Sequence, residues 1–206
     1  MQIIIASKNL HKIRELKTIL KGKYPFDLLS LLDFPDYKSP EETGKTFEEN
    51  AFLKASKASK ALNSWVLAED SGLVVPSLDY QPGIKSARYA GENATDKENR
   101  NKLVDTLSNL DEDSRTGYYY CAIAIASPSG VQIQVSASCE GSLTINPKGS
   151  YGFGYDPLFK KYEYNKTFAE IDEETKNKIS HRRKALDKLS SFFDSLISRK
   201  NTFTNF

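Results

Sequence analysis

Residues 65–75 run apolar, acidic and apolar again: Trp65-Val66-Leu67-Ala68, then Glu69-Asp70-Ser71-Gly72, then Leu73-Val74-Val75. The apolar pieces are short and rich in valine and leucine, which predicts two buried strands. Gly72 permits a sharp bend between them. Two carboxylates at the end of an interior strand do not sit in an apolar core unless something pairs with them. Such a carboxylate pair suits a hard cation such as Mg²⁺; a solvated acidic turn is the competing reading.

The N-terminal residues 2–6 read as a short buried strand that runs into Ser7-Lys8-Asn9-Leu10-His11-Lys12 and then a helix striped by Leu10, Ile13, Leu16 and Leu20. A strand, a polar loop and a helix N-terminus offer an anion free backbone N–H groups and the positive end of the helix dipole. Ser7, Asn9 and Lys12 add side-chain donors, although the spacing is not that of a Walker A loop. An ordinary capped helix is the plainer alternative. Residues 33–45, rich in Pro, Glu and Gly, predict an irregular loop. Thr46-Phe47-Glu48-Glu49 fits a capping box opening a helix to about Leu62, striped by Phe47, Ala51, Ala55, Ala58 and Leu62. Asn50, Lys54 and Lys57 fall on another face of it. Lys54 gains interest only if that face borders a phosphate site.

Further along, Pro82-Gly83 sets a turn before Arg88 and Tyr89, where Arg88 reads as a surface ion-pair partner. Thr95-Asp96-Lys97-Glu98 is a second capping box, opening a helix with Leu103, Leu107 and Leu110 on one face. Residues 118–126 and 131–138 form a hairpin around Pro128-Ser129-Gly130, with one face wet. In Tyr151-Gly152-Phe153-Gly154-Tyr155-Asp156-Pro157, glycines flank a ring and an acid precedes proline. That is a half-pocket for a nucleobase or, equally, a turn closing a core. Residues 166–171 predict a short strand. Lys176, His181 and Arg182 gather donors near the start of a final helix striped by Leu186, Leu189, Phe193 and Leu196, and residues 199–206 read as a poorly ordered tail.

The charge balance, Lys+Arg 29 against Asp+Glu 27, leaves +2 over 206 residues, so no global basic footprint points to nucleic acid. No apolar run is long enough to predict a membrane span. Two cysteines, Cys121 and Cys139, without zinc spacing predict reduced thiols and a cytoplasmic protein. Nothing divides the chain cleanly, so residues 1–206 are expected to form one domain.

Taken together, IIIASKNLHKIREL, TFEENAFLKA, LAEDSGLVV, PGIKSARYAGE, GYGFGYDPLF, KTFAEI and KNKISHRRKAL resemble the inosine triphosphate pyrophosphatase family, in family order and over nearly the whole chain. The resemblance implies an α/β fold: an elongated mixed sheet with flanking helices, two lobes around a central nucleotide cleft, and a homodimer. It implies Mg²⁺-dependent hydrolysis of ITP, dITP or XTP to the monophosphate and pyrophosphate. It assigns Asp70, Glu69 and Lys54 to catalysis and Glu41 with Asp70 to the metal. Ser7, Lys8, Asn9, Lys12 and Ser71 fall to the phosphates, and Phe153, Gly154, Tyr155, Asp156, Lys176, His181 and Arg182 to the base. The chain departs from the family at Lys8 and His11, where glycines are usual, and at Glu69, where Asp is common. A Maf-like pyrophosphatase with another base preference is the alternative, and the FGYD and SHR runs argue against it. A non-catalytic nucleotide-binding module is disfavoured by the retained Asp70, Glu41 and Lys54.

Overall fold

A computed structural model describes the backbone of residues 1–203 and the side chains of residues 1–198. The seven strands are β1 (Gln2–Ile5), β2 (Asp27–Ser30), β3 (Val66–Val74), β4 (Thr116–Ser127), β5 (Gly130–Leu143), β6 (Phe159–Lys161) and β7 (Lys166–Thr167). They form one sheet in the order β2-β1-β3-β4-β5-β6-β7. β1 pairs parallel with β2 and β3, whereas β6 pairs antiparallel with β5 and β7. The two-residue connection between β4 and β5 makes the hairpin read from Pro128-Ser129-Gly130. The α-helices are α1 (Leu10–Leu20), α2 (Phe47–Ala61), α3 (Asp96–Leu107), α4 (Glu173–Ile179), α5 (His181–Asp187) and α6 (Ser190–Phe203). A mixed sheet with flanking helices is thus the α/β arrangement expected.

The chain divides into two compact units, and β3, β4 and β5 each contribute residues to both. The first unit takes Met1–Asp70, Ala122–Ala137 and the chain from Arg182 onward. Its core joins Ile3, Ile4 and Ile5 of β1 to Leu16 and Leu20 of α1, Ala51, Ala55 and Ala58 of α2, and Phe193 of α6. The Phe193 ring packs at 5.0 and 5.2 Å from Tyr24 and Phe26. The second unit, Ser71–Cys121 and Ser138–His181, is built around Leu73, Leu103, Leu107, Tyr119, Phe159 and Phe168. Both cysteines are buried thiols outside any disulfide. No helix among the described residues is long and apolar enough to cross a membrane.

Five local expectations need correction. Residues 66–74 are a single strand, so Glu69 and Asp70 lie within β3 and not on a bend. Gly72 is required for approach instead: a Cβ there would collide with Ser86 Oγ and lie 2.6 Å from the Gly83 carbonyl oxygen. Leu10 is 68 % exposed, and Glu15 takes a buried place on α1 beside Ile13, Leu16 and Leu20. Residues 166–171 hold only the two-residue β7, because Thr167 caps a 3-10 turn, Phe168–Glu170, with Glu170 returning to the Thr167 N–H at 2.9 Å. The final helix is two helices, α5 and α6; Leu186, Phe193 and Leu196 on them and Leu189 in the turn between are buried as the stripe predicts. The tail expected from residue 199 starts inside α6, and residues 204–206 lie outside the described residues.

Candidate functional site

In the first unit the site is assembled from α1, α2, β3 and the loop before α2. Thr46 caps α2 by accepting from the Glu49 N–H at 3.1 Å, which sets the helix so that Asn50 and Lys54, four residues apart, share a face. That face meets Asp70. Lys54 Nζ donates to Asp70 Oδ1 at 2.8 Å, and Asn50 Nδ2 donates to Asp70 Oδ2 at 3.2 Å. Lys54 Nζ also reaches Glu42 Oε1 at 3.0 Å. Burial works against the Lys54 ammonium, but the Asp70 and Glu42 charges and hydrogen bonds outweigh it and hold Lys54 above its ordinary value. Lys54 is therefore charged throughout the neutral range, and the buried Asp70 has one oxygen held by Lys54 and the other by Asn50.

Glu69, one residue earlier on β3, is held by a separate buried network. Arg182 of α5 donates from Nε and Nη2 to the two Glu69 oxygens at 2.5 and 2.8 Å, a bidentate pair, and from Nη1 to Glu15 of α1. Lys12 Nζ lies 3.5 Å from Glu69 Oε1. Two carboxylates and two cations balance, as burial demands. Arg182 was expected beside Lys176 and His181 at a base; its guanidinium is committed to Glu15 and Glu69 instead. Successive residues of α5 point about 100° apart, so sequence adjacency does not deliver His181 and Arg182 to one place.

The first loop is more self-satisfied than its polarity predicts. Asn9 Oδ1 accepts from the His11 and Lys12 N–H groups at 3.0 and 3.3 Å and so caps α1, and Ser7 Oγ accepts from the Asn9 N–H at 3.1 Å. Three of the N–H groups expected to be free are thereby taken. Lys8 Nζ reaches the Tyr37 carbonyl at 3.5 Å. Glu41 is exposed in the loop before α2; the carboxylate delivered to Lys54 from that loop is Glu42, which the sequence reading did not single out. Ser71 follows Asp70 on β3 and is half-buried.

A divalent cation fits this chemistry. Lys54 already joins Asp70 and Glu42 around one positive charge, and both are hard oxygen donors. Among the described residues no group of three His, Cys, Asp or Glu side chains gathers to hold a metal alone. Mg²⁺ commonly takes one or two carboxylates and completes its shell with water and phosphate, so the smaller donor set matches that ion better than zinc or calcium.

In the second unit, residues 151–157 form a tight loop. Gly152 has φ +73° and Gly154 φ +58°, both in the left-handed region, and a Cβ on Gly152 would run into the Asp156 carboxylate. Asp156 is 2 % exposed and takes three donors on its two oxygens, with acceptor capacity left on Oδ1. It accepts from the Phe153 N–H at 2.9 Å and from Lys176 Nζ at 2.6 Å on Oδ2, and from the Tyr119 hydroxyl at 3.1 Å on Oδ1. Lys176 Nζ lies 5.1 Å from the Phe153 ring centroid. His181 stacks on Tyr119 with centroids 4.7 Å apart and planes at 11°. The Tyr155 hydroxyl donates to the Ser86 carbonyl at 2.8 Å, and burial pushes that phenol well above its ordinary range. The structure thus brings together Phe153, Gly154, Tyr155, Asp156, Lys176 and His181, with Tyr119 as an addition.

The match to known proteins covers nearly all of this. The model of the Ham1 family matches residues 3–192. A Protochlamydia amoebophila protein named dITP/XTP pyrophosphatase is 53 % identical over 197 residues, covering 95 % of this chain and 99 % of that protein. A Chlamydia abortus protein of the same name is 47 % identical over 201 residues, covering 97 % and 98 %. Among solved structures, the Staphylococcus aureus Ham1 protein superposes with TM-score 0.83 at 40 % identity, covering 95 % of this chain and 99 % of that one. A HAM1 protein from Coxiella burnetii gives TM-score 0.85 at 36 % identity, with the same coverage.

Proposed function

From the premise that the chain belongs to the Ham1 family, we propose that it hydrolyses non-canonical purine nucleoside triphosphates, ITP, dITP and XTP, to the nucleoside monophosphate and pyrophosphate with Mg²⁺ as cofactor. The observation that carries the reading is Asp70, a buried carboxylate aimed by Lys54 and Asn50 from an α-helix across from its strand. A mere binder of nucleotides has no use for an oriented, charge-balanced acid of this kind.

The triphosphate is polyanionic, so attack at phosphorus needs its charge offset first. Lys54, Lys12, Lys8 and the donors of Ser7 and Asn9 supply that in the first unit, and Ser71, the next residue of β3, adds a hydroxyl. Asp70 takes the proton of the attacking water on a carboxylate oxygen, each of which retains an acceptor site beyond its bond to Lys54 or Asn50. Glu69, locked by Arg182 and Lys12, supports the backbone and the field next to Asp70. Asp70 with Glu41, or with Glu42, would hold Mg²⁺, which supplies further charge neutralisation at the phosphates.

The second unit takes the base. Phe153 offers a ring face, Asp156 an edge acceptor, and Lys176 and His181 donors. Hypoxanthine and xanthine carry a carbonyl at C6 where adenine has an amino group. A donor-lined site leaves a donor unpaired with adenine and so rejects it. A homodimer in the cytoplasm completes the reading.

An assay with dITP, XTP, GTP and ATP, scoring pyrophosphate separately from orthophosphate with and without Mg²⁺, tests it. Pyrophosphate from dITP and XTP, little from GTP or ATP, and none after chelation is the expected result. Orthophosphate as product, or indifference to the base, overturns it.

A further inference from the structure

Gly154 lies between Phe153 and the Tyr155-Asp156 pair, and both of its backbone groups are held from one helix. The Gly154 N–H donates to Asp96 Oδ2 at 2.7 Å, and Arg100 Nη1 donates to the Gly154 carbonyl at 2.8 Å. Asp96 and Arg100 are four residues apart on α3 and so share a face, all three residues belonging to the second unit. The placement of α3 is itself specified: Thr95 and Glu98 make a reciprocal capping box. Asn99 fixes the helix against residues 83–91 by accepting from the Ala90 N–H at 2.8 Å and donating to the Ala87 carbonyl at 3.1 Å, and Lys102 adds a bond to the Tyr89 carbonyl at 2.6 Å.

We infer that Asp96 and Arg100 are positioning residues for base selection: they clamp the Gly154 peptide groups and so set the Phe153 ring against the Asp156 carboxylate. The inference rests on the base reading of Phe153 and Asp156 proposed above. Its physical ground is entropy. Gly149, Gly152 and Gly154 all have positive φ, so the loop contains three residues that roam widely when unheld. The inner side of the loop is tied by Asp156 to the Phe153 N–H and by the Ala169 carbonyl to the Ser150 and Tyr151 N–H groups at 2.9 and 3.0 Å. Among the described contacts, the Gly154 peptide groups are held by α3. Neither Asp96 nor Arg100 is needed as a ligand; they act through the loop.

Full-length Asp96→Ala, Arg100→Ala, Asp96→Asn and Asp156→Asn, assayed with dITP and ATP, test this. Loss of one hydrogen bond to the loop is expected to raise KM for dITP about fivefold with kcat little changed, and to narrow the dITP-to-ATP ratio of kcat/KM by a similar factor. Asp96→Asn keeps an acceptor for the Gly154 N–H and is expected to restore most of both. Equal losses on dITP and ATP, a fall in kcat alone, or an Asn variant as impaired as the Ala variant would overturn the inference. Asp156→Asn separates the two levels. If it narrows the dITP-to-ATP ratio and the α3 variants do not, only the clamp is overturned. If it leaves the ratio unchanged, the base reading fails and the clamp falls with it. Should both alanine variants fail to fold, the contacts belong to the stability of the unit and the inference is likewise overturned.

Discussion

Lys54 on α2 and Asp70 on β3 form a 2.8 Å ion pair, and Lys54 stands above its ordinary pKa because Asp70 and Glu42 together outweigh its burial. The same contact that neutralises Asp70 in the resting protein puts a cation beside the acid where an anionic substrate would arrive.

Asp70→Asn is expected to fold normally and lose turnover by roughly a thousandfold, since the amide cannot accept the proton of water. Lys54 retains Glu42, so no uncompensated buried charge is created. Circular dichroism and pyrophosphate release check the two halves of the statement; a folded, active variant would remove Asp70 from its role.

Arg182→Ala leaves Glu15 and Glu69 facing each other without their shared cation. Breaking a buried network in this way costs about 3–5 kcal/mol, and thermal melting should show it. With the guanidinium committed to those two acids, the loss of activity on dITP and ATP should be parallel. A selective loss on dITP in a variant of unchanged stability would return Arg182 to the base.

Gly152→Ala forces a side chain into φ +73° and against the Asp156 carboxylate. About 1–3 kcal/mol of destabilisation is expected from the conformation alone. Because the collision displaces Asp156 from Lys176, KM for dITP should rise more than kcat falls. Steady-state kinetics at saturating Mg²⁺ would measure both.

Acid should weaken the fold through its helix and turn caps. Backbone hydrogen bonds from Thr95, Thr167 and Thr175 hold Glu98, Glu170 and Asp172 below their ordinary values, with side-chain bonds adding to each. The unfolded chain binds these protons more readily, so the caps contribute fully above the ordinary carboxylate range and their contribution is lost as pH falls through the folded values. Melting temperatures measured from pH 6 to pH 3 should drop less steeply in a Glu98→Gln, Glu170→Gln variant than in its parent, whatever its starting stability.

Local signals were readable and distant pairings were not. The Thr95 capping box, the hairpin turn and the apolar C-terminal stripe rest on spacings of a few residues, and each is present; the box expected at Thr46 is only half made, since Thr46 caps the Glu49 N–H but the Glu49 carboxylate takes the Lys45 N–H. Asp70 and Lys54 were singled out, yet their contact spans sixteen positions and two element types, so spacing alone left Lys54 on a solvated face. Glu15 carries no mark in the sequence; its partner Arg182 lies 167 residues away and no local pattern announces it. Gly72 suggested a bend and placed Glu69 and Asp70 at a strand end; the partners that let both acids sit inside β3 come from α1, α2 and α5. Asp96 was legible as part of a cap, while its bond to Gly154 came only with the fold.

The collisions that a Cβ would make at Gly149, with the Ala169 carbonyl, and at Gly152, with Asp156, have a bearing on redirecting this chain toward other nucleotides. A library randomised within the loop would be spent mostly on variants that never assemble it. Diversity placed on α3, whose side chains grip the loop from outside, leaves that backbone intact and varies only how firmly it is aimed.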